Sequence, residues 1–242
     1  MMIGVWLRSL AYAAVQVLVT PPYSIVALLT FPFPPLTRYR VISGWARFMT
    51  WAAQHICGIR YRVLGSQNIP REPCIVLVKH ESAWETLALQ VIFPPQVWVL
   101  KRELLWVPFF GWGLAMTSPI AIDRRAGPRA LRQTVEQGRK RLAQGFSIVI
   151  FPEGTRSAPG VRGTYQAGGA WLATQTGAAI VPVAHDAGAC WPRNSFLKYP
   201  GVVTISIGPK IRSDGRKASE LMGQVEEWIE SEMQRIRHDE TH

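Results

Sequence analysis

Hydrophobic positions along this chain follow three successive patterns. From Ser9 to Thr37 no side chain is charged, a run of 29 residues. A membrane span needs roughly 20 apolar residues, so the run is long enough. Yet Pro21-Pro22 divides it, and Pro32, Pro34 and Pro35 close it. Proline removes a helix donor and clashes with the preceding turn, so the pattern predicts two short helices, over about 6–19 and 23–31. Residues 38–58 follow as an amphipathic helix. Trp45, Phe48, Met49, Trp51 and Ile56 supply one apolar face, suited either to a bilayer interface or to packing on a core.

The second pattern is alternation at residues 59–64, where Ile59, Tyr61 and Val63 stand against Arg60, Arg62 and Leu64, as in a half-buried strand. The third is a series of short apolar runs, at Ile75–Val78, Val97–Leu100, Ile120–Ile122, Phe146–Phe151 and Ala179–Ala184, that read as buried strands. Val202–Ile207 alternates again. Helical stretches separate these runs, over 85–91, 129–143 (with Pro128 in the first turn) and 166–175, and an amphipathic helix over 217–237 closes the chain. The segment Leu104–Gly113 is aromatic and broken by Pro108, Gly111 and Gly113. Strands alternating with helices predict an α/β fold with a largely parallel sheet. The expected division is residues 1–58 as membrane-associated helices and 59–242 as the α/β domain.

Composition predicts apolar surface that meets something other than water. Hydrophobic residues make up 48% and charged residues only 18%, against roughly 25% charged in a typical soluble protein. The net charge of +11 is uneven. Lys101 to Arg141 carries nine Lys/Arg against three acids, whereas Arg212 to His242 carries five against eight. A basic middle suits an anionic partner, whether nucleic acid, a phosphorylated substrate or an anionic bilayer; a solvated face is the plain alternative. Arg8 precedes the uncharged run, and Arg38, Arg40 and Arg47 follow it. A re-entrant hairpin with both ends cytoplasmic satisfies the positive-inside bias; two buried soluble helices are the alternative. Ala11-Tyr12-Ala13 resembles a signal-peptide cleavage site, but the apolar stretch before it is too short. Cys57, Cys74 and Cys190 lie far apart without a Cys-x-x-Cys pair, which argues against a zinc site or a disulfide framework and fits a reducing compartment.

The chemistry gathers at strand ends. His80 follows the run Ile75–Val78, where sheet-borne sites emerge. On a regular helix Glu85 would lie about 140° around the axis from His80. The two meet only if His80 precedes the helix, as the strand-to-helix reading has it. A carboxylate on one ring nitrogen then fixes the tautomer and raises the basicity of the other. Ser82 lacks the Gly-x-Ser-x-Gly surroundings of a nucleophile elbow. Phe151-Pro152-Glu153-Gly154-Thr155-Arg156-Ser157 is far more specific, with a carboxylate and a guanidinium on one tight turn. Arg156 suits a bidentate grip on phosphate; Glu153 suits a substrate hydroxyl or the orienting of Arg156. His55 and His185 read as structural; Trp106 and Trp112 read as packed in the core, with guidance of an apolar chain by the 104–114 segment as the alternative.

These blocks resemble those of the glycerolipid acyltransferase family. Its first block, His-x4-Asp, is matched by His80 and Glu85, with glutamate in place of aspartate. Its second is matched by Lys101, Pro108, Gly111 and Ile120-Ala121-Ile122-Asp123-Arg124, its third in full by residues 151–157, and its fourth by Ile180-Val181-Pro182-Val183. The four follow the family's order over about residues 74–185. The apolar N-terminus also resembles the two-helix membrane motif of bacterial lysophosphatidic acid enzymes.

The resemblance implies a mixed, largely parallel central sheet flanked by helices, behind an N-terminal two-helix membrane motif. It implies acyl transfer from acyl-CoA or acyl-carrier protein to the free hydroxyl of 1-acyl-sn-glycerol 3-phosphate, giving phosphatidic acid. His80 would be the general base, oriented by Glu85. Arg156, with Lys101 and Arg124, would bind the acceptor phosphate, and Glu153, Gly154 and Thr155 would shape the acceptor site. No cofactor, metal or nucleic acid is implied. The partners it implies are the lipid bilayer, lysophosphatidic acid and the acyl donor. The location it implies is the bacterial inner membrane, with the catalytic domain on its cytoplasmic face. The alternatives are acylation of another lysophospholipid or amphipathic acceptor, a non-catalytic lipid-binding protein, and a thioesterase.

Overall fold

The computed structural model describes residues 2–93, 95–123 and 127–239. Arg124, one of the expected phosphate ligands, falls outside them.

The two short helices expected over about 6–19 and 23–31 are a single helix. Helix α1 spans Met2–Leu29 with Pro21 and Pro22 inside it. Two donors are lost there, yet contacts on both sides of the prolines hold the helix direction. Tyr12 packs edge-on against Trp191 with centroids 5.4 Å apart, and the Tyr23 hydroxyl donates to Val41 O at 2.6 Å. On either side of the prolines, Thr20 Oγ1 and Ser24 Oγ bond back to Gln16 O and Thr20 O at 2.6 and 2.8 Å. The reversal comes later, at residues 30–34, and helix α2 (Pro35–Ala52) starts on a proline, whose missing N–H has no partner to lose at that position. The hairpin is therefore α1 against α2. A π-helical turn, Ala53–Cys57, and the left-handed Gly58 then pass the chain to the sheet.

The sheet has seven strands: β1 (Ile59–Leu64), β2 (Ile75–Val78), β3 (Gln96–Lys101), β4 (Ile120–Ile122), β5 (Ser147–Ile150), β6 (Ile180–His185) and β7 (Gly201–Ile207). Their order is β1-β7-β6-β2-β5-β3-β4. All neighbours run parallel except β6 and β7. The remaining helices are α3 (Trp84–Ile92), α4 (Phe110–Met116), α5 (Pro128–Ala143), α6 (Gly168–Thr176), α7 (Ala187–Cys190) and α8 (Ala218–Asp239). Strand β2 is central and apolar at all four positions because both its faces are covered. Val76 and Val78 face Met49, Trp84 and Leu89 on one side. Ile75 and Leu77 face Ala170, Leu172, Val225 and Ile229 of α6 and α8 on the other.

The expectation that Trp106 and Trp112 pack in the core is not met: Trp106 is 77% exposed and Trp112 42%. The short 3-10 helix Arg102–Trp106 and α4 lie at the surface, and both indoles face outward. Helix α1 also turns an apolar face outward, with Leu7, Val17, Leu18, Ile25 and Leu29 exposed. At 1.5 Å per residue α1 is about 42 Å long, and it is long and apolar enough to cross a membrane.

Candidate active site

Lys79 and His80 leave β2 at the carboxyl edge of the sheet, where ligands meet open α/β sheets. The Lys79 N–H bonds to Val183 O at 3.0 Å, which keeps the chain beside β6. Helix α3 begins only at Trp84, so His80 lies in the turn and Glu85 in the first helical turn. That arrangement brings Glu85 Oε1 to 2.7 Å from His80 Nδ1. The same oxygen accepts the Ser82 N–H at 3.0 Å. A carboxylate only accepts, so the imidazole proton sits on Nδ1 and Nε2 is left as an acceptor. Burial works to raise the Glu85 pKa, but His185 nearby and the bond from His80 outweigh it and hold this carboxyl below its ordinary range.

The neighbouring candidates have structural partners. Ser82 Oγ is buried and accepts the Trp84 N–H at 3.1 Å. His185 Nε2 donates to Lys79 O at 2.8 Å, and its Nδ1 accepts the Ala187 N–H at 3.2 Å. Both of its nitrogens are engaged, and burial depresses its pKa, with Glu85 opposing. The His80 ring lies on Phe151, which in turn stacks on Trp98.

The loop after β5 carries residues 151–157. Gly154, at φ +70°, makes the sharp turn that a side chain would strain. The Glu153 side chain turns inward, away from the position expected for it. Its Oε1 lies 2.6 Å from Lys79 Nζ, and its Oε2 accepts the His80 N–H at 3.0 Å. Neither oxygen reaches Arg156, because the buried ammonium and main-chain donor lie closer at hand. Ser157 bonds back to His80 O through its N–H at 2.8 Å and its Oγ at 3.2 Å.

His80 opens onto a cavity of about 1400 Å³, larger than the roughly 300–1,000 Å³ of ordinary small-molecule sites. Its polar end holds His80, Lys101, Gly154, Thr155 and Arg156. Its apolar part is walled by Ile42, Trp45, Leu87, Leu104, Phe110 and Leu114, and extends to Ser24 and Ala27 of α1. The structure thus brings His80, Glu85, Lys101 and residues 153–156 to one site. It adds Lys79 and Arg193, which sequence reasoning missed. Arg193 lines the same cavity and donates through Nη1 to the Arg156 carbonyl. Lys79 carried a usable signal, a lysine abutting a wholly apolar strand; Arg193, in a Trp-Pro-Arg-Asn turn, carried none.

A sheet of this order, with its site at the carboxyl edge above a large apolar cavity, has the build of an enzyme for an amphipathic substrate. The Acyltransferase family model matches residues 60–186, more than half of the chain. The chain belongs to that family and is an acyltransferase. It is 44% identical over 218 residues to the 1-acyl-sn-glycerol-3-phosphate acyltransferase of Pseudomonas aeruginosa, covering 86% of this chain and 85% of that protein. It is 27% identical over 173 residues to the mouse (Mus musculus) 1-acyl-sn-glycerol-3-phosphate acyltransferase alpha, covering 70% of this chain and 61% of the relative. The fold is shared with the crystal structure of the 1-acyl-sn-glycerophosphate (LPA) acyltransferase PlsC from Thermotoga maritima. That match has a TM-score of 0.81 at 22% identity and covers 98% of this chain and 97% of the other.

Proposed function

We propose that the protein transfers an acyl chain from acyl-CoA or acyl-carrier protein to the free hydroxyl of 1-acyl-sn-glycerol 3-phosphate, giving phosphatidic acid. The observation that carries this reading is the His80–Glu85 pair at the polar end of a long apolar cavity, with Arg156 and Lys101 beside it. An acceptor with a phosphate, a hydroxyl and a hydrocarbon chain needs those three environments together. The names of the similar bacterial and mammalian proteins support the same acceptor.

In the reaction His80 Nε2 takes the acceptor hydroxyl proton as that oxygen attacks the thioester carbonyl. The new C–O ester bond forms, the C–S bond breaks, and the proton passes from His80 to the departing thiolate. Glu85 stays ionised and stabilises the imidazolium between these steps. Arg156 and Lys101 hold the acceptor phosphate. The steps need no covalent acyl-enzyme and route no proton or electron through a cofactor.

The bilayer is the supporting partner. Helix α1 is fastened to the domain near both ends, by Trp6 against Phe196 and by Ser24 and Ala27 against Gly113. A helix held along its length lies beside the domain instead of leaving it. Its exposed apolar face, with Trp106 and Phe109, then sits in one leaflet, on the cytoplasmic side.

A panel of acceptors with labelled acyl-CoA and acyl-carrier protein tests the proposal. 1-Acyl-sn-glycerol 3-phosphate should be the best acceptor, with turnover abolished in His80→Ala. Preference for a lysophospholipid without a terminal phosphate, or release of free fatty acid as the main product, would overturn it.

A further inference from the structure

Lys79 is fully buried, although a lysine is almost never so unless paired. Its three ammonium hydrogens have three acceptors: Glu153 Oε1 at 2.6 Å, Glu230 Oε1 at 2.9 Å and Val161 O at 3.1 Å. Of these three, Val161 and Glu230 do not line the cavity, and the Glu153 carboxylate faces Lys79 and the His80 N–H. Val161 and Glu230 stand behind the site, and Glu230 belongs to α8, outside the four sequence blocks. The Tyr165 hydroxyl donates to the same Glu230 oxygen at 2.8 Å.

We infer that Lys79 is a positioning residue of the acyl-transfer site: its ammonium, anchored by Glu230, aims the Glu153 carboxylate so that this carboxylate holds the main chain of His80. The inference rests on the reading of His80 as the general base.

Glu153 divides its oxygens, Oε1 to Lys79 and Oε2 to the His80 N–H. Ser157 takes the His80 carbonyl and lies 3.4 Å from Glu153 Oε2. His185 takes the Lys79 carbonyl. Every polar main-chain group from the Lys79 carbonyl to the His80 carbonyl is therefore fixed by a buried side chain or by Ser157. The loop over Glu153 is shaped for it: a Cβ at Gly163 would stand 2.6 Å from Glu153 Oε1. Burying an ammonium is costly before pairing, and an apolar side chain of the same volume often serves stability as well. What an apolar side chain cannot do is orient a carboxylate. Misplacing a reacting group by about 1 Å can cost on the order of 100-fold in rate, so the effect belongs in kcat. Acceptor binding depends on Arg156 and Lys101, which this network does not touch.

The test is steady-state kinetics of the full chain in phospholipid vesicles, with kcat normalised to folded protein, for Lys79→Met, Glu153→Gln, the double variant, Glu230→Gln and His80→Ala. Lys79→Met should lower kcat by about 10- to 100-fold with the acceptor KM within about threefold. The double variant should be no slower than Glu153→Gln, because Lys79 acts through that carboxylate. Glu230→Gln, at a partly exposed position, should lower kcat by roughly three- to tenfold. The inference is overturned if Lys79→Met keeps wild-type kcat, if the two losses multiply, or if only the acceptor KM rises. If Lys79→Met does not fold, Glu230→Gln decides, and an unchanged kcat there overturns the inference. Turnover in His80→Ala would instead remove the general-base reading, whatever the Lys79 variants do.

Discussion

The imidazole of His80 lies flat against the ring of Phe151, with centroids 3.8 Å apart and planes 14° from parallel. Phe151 is backed in turn by Trp98 at 5.5 Å, again within 14°. Glu85 fixes one edge of the imidazole and the stack fixes its plane, so rotation about the His80 side chain is stopped in both senses. Aromatic pairs contribute about 0.5–1.5 kcal/mol beyond their buried area. Phe151→Leu keeps an apolar side chain and loses the flat support. It should lower kcat by roughly tenfold, equivalent to about 1.4 kcal/mol, with the acceptor KM little changed. A KM effect without a kcat effect would assign Phe151 to substrate binding.

Glu85 separates charge from reach. Glu85→Gln keeps the length but loses the charge proposed to stabilise the imidazolium, and kcat should fall by about 100-fold or more. Glu85→Asp keeps the charge but retreats by one carbon–carbon bond, about 1.5 Å. It opens the 2.7 Å contact with Nδ1 and should cost about tenfold. Comparing kcat for the two variants checks this order; an aspartate as damaging as glutamine would mean that distance, not charge, governs the pair.

Arg156 is half-buried at the polar end of the cavity, and its main chain is held by Arg193. Its guanidinium suits a phosphate. Arg156→Ala should raise the acceptor KM by roughly 10- to 100-fold and leave the donor KM within about threefold, since a charge-assisted contact is worth about 1.5–3 kcal/mol. Initial rates with each substrate varied in turn provide the measurement. A rise confined to the donor KM would move the acceptor phosphate to other cations.

Most strands were legible because their apolar runs are short and bounded by turns. The runs at Ile75–Val78 and Ile120–Ile122 match β2 and β4 to the residue. The α1 helix was misread because Pro21-Pro22 is a local helix breaker, while the contacts that carry the helix past it, from Tyr12 and Tyr23, lie far away in sequence. The meeting of His80 and Glu85 was legible, since the strand-to-helix turn alone decides whether a five-residue spacing closes. The direction of Glu153 was not. It is set by Lys79, by Gly163 and by Glu230 on the last helix, and no local pattern reports such a convergence. Trp106 and Trp112 lie at the surface and not in the core, which was not legible because an aromatic segment reads alike in sequence whether it is buried or exposed.

The exposed aromatic segment gives a membrane test separable from catalysis. Trp106 and Phe109 point outward beside the apolar face of α1 and do not line the cavity. Trp106→Glu places a charge where the bilayer boundary is proposed to lie. It should weaken binding to anionic phospholipid vesicles by roughly tenfold or more, since both the aromatic anchor is lost and a repelled charge is gained. Its kcat on a short-chain acceptor in detergent should stay near wild type. Vesicle sedimentation measures the first and steady-state kinetics the second; unchanged sedimentation would put the bilayer against α1 alone.

Glu81 ties stability to pH. It directly follows His80, is buried against Gly188 of α7, and its Oε1 has no hydrogen-bond partner among the described residues. Burial pushes its pKa up to about 8, and Lys79 only partly opposes this. The folded state therefore holds a proton that the unfolded chain, titrating near 4.5, has already released. Stability from this group is fully present below the unfolded value and is lost as pH rises through about 8. Glutamine has nearly the shape of the protonated acid and does not titrate. Glu81→Gln should match wild type in thermal unfolding near pH 5 and exceed it near pH 8.5, with Tm rising roughly 2–4 °C per kcal/mol for a domain of this size. Melting both proteins across that range measures the difference directly. A Tm offset independent of pH would show that Glu81 is held in the same charge state folded and unfolded. A variant less stable than wild type at pH 8.5 would show that its carboxylate is stabilised in the fold by charges stronger than its burial.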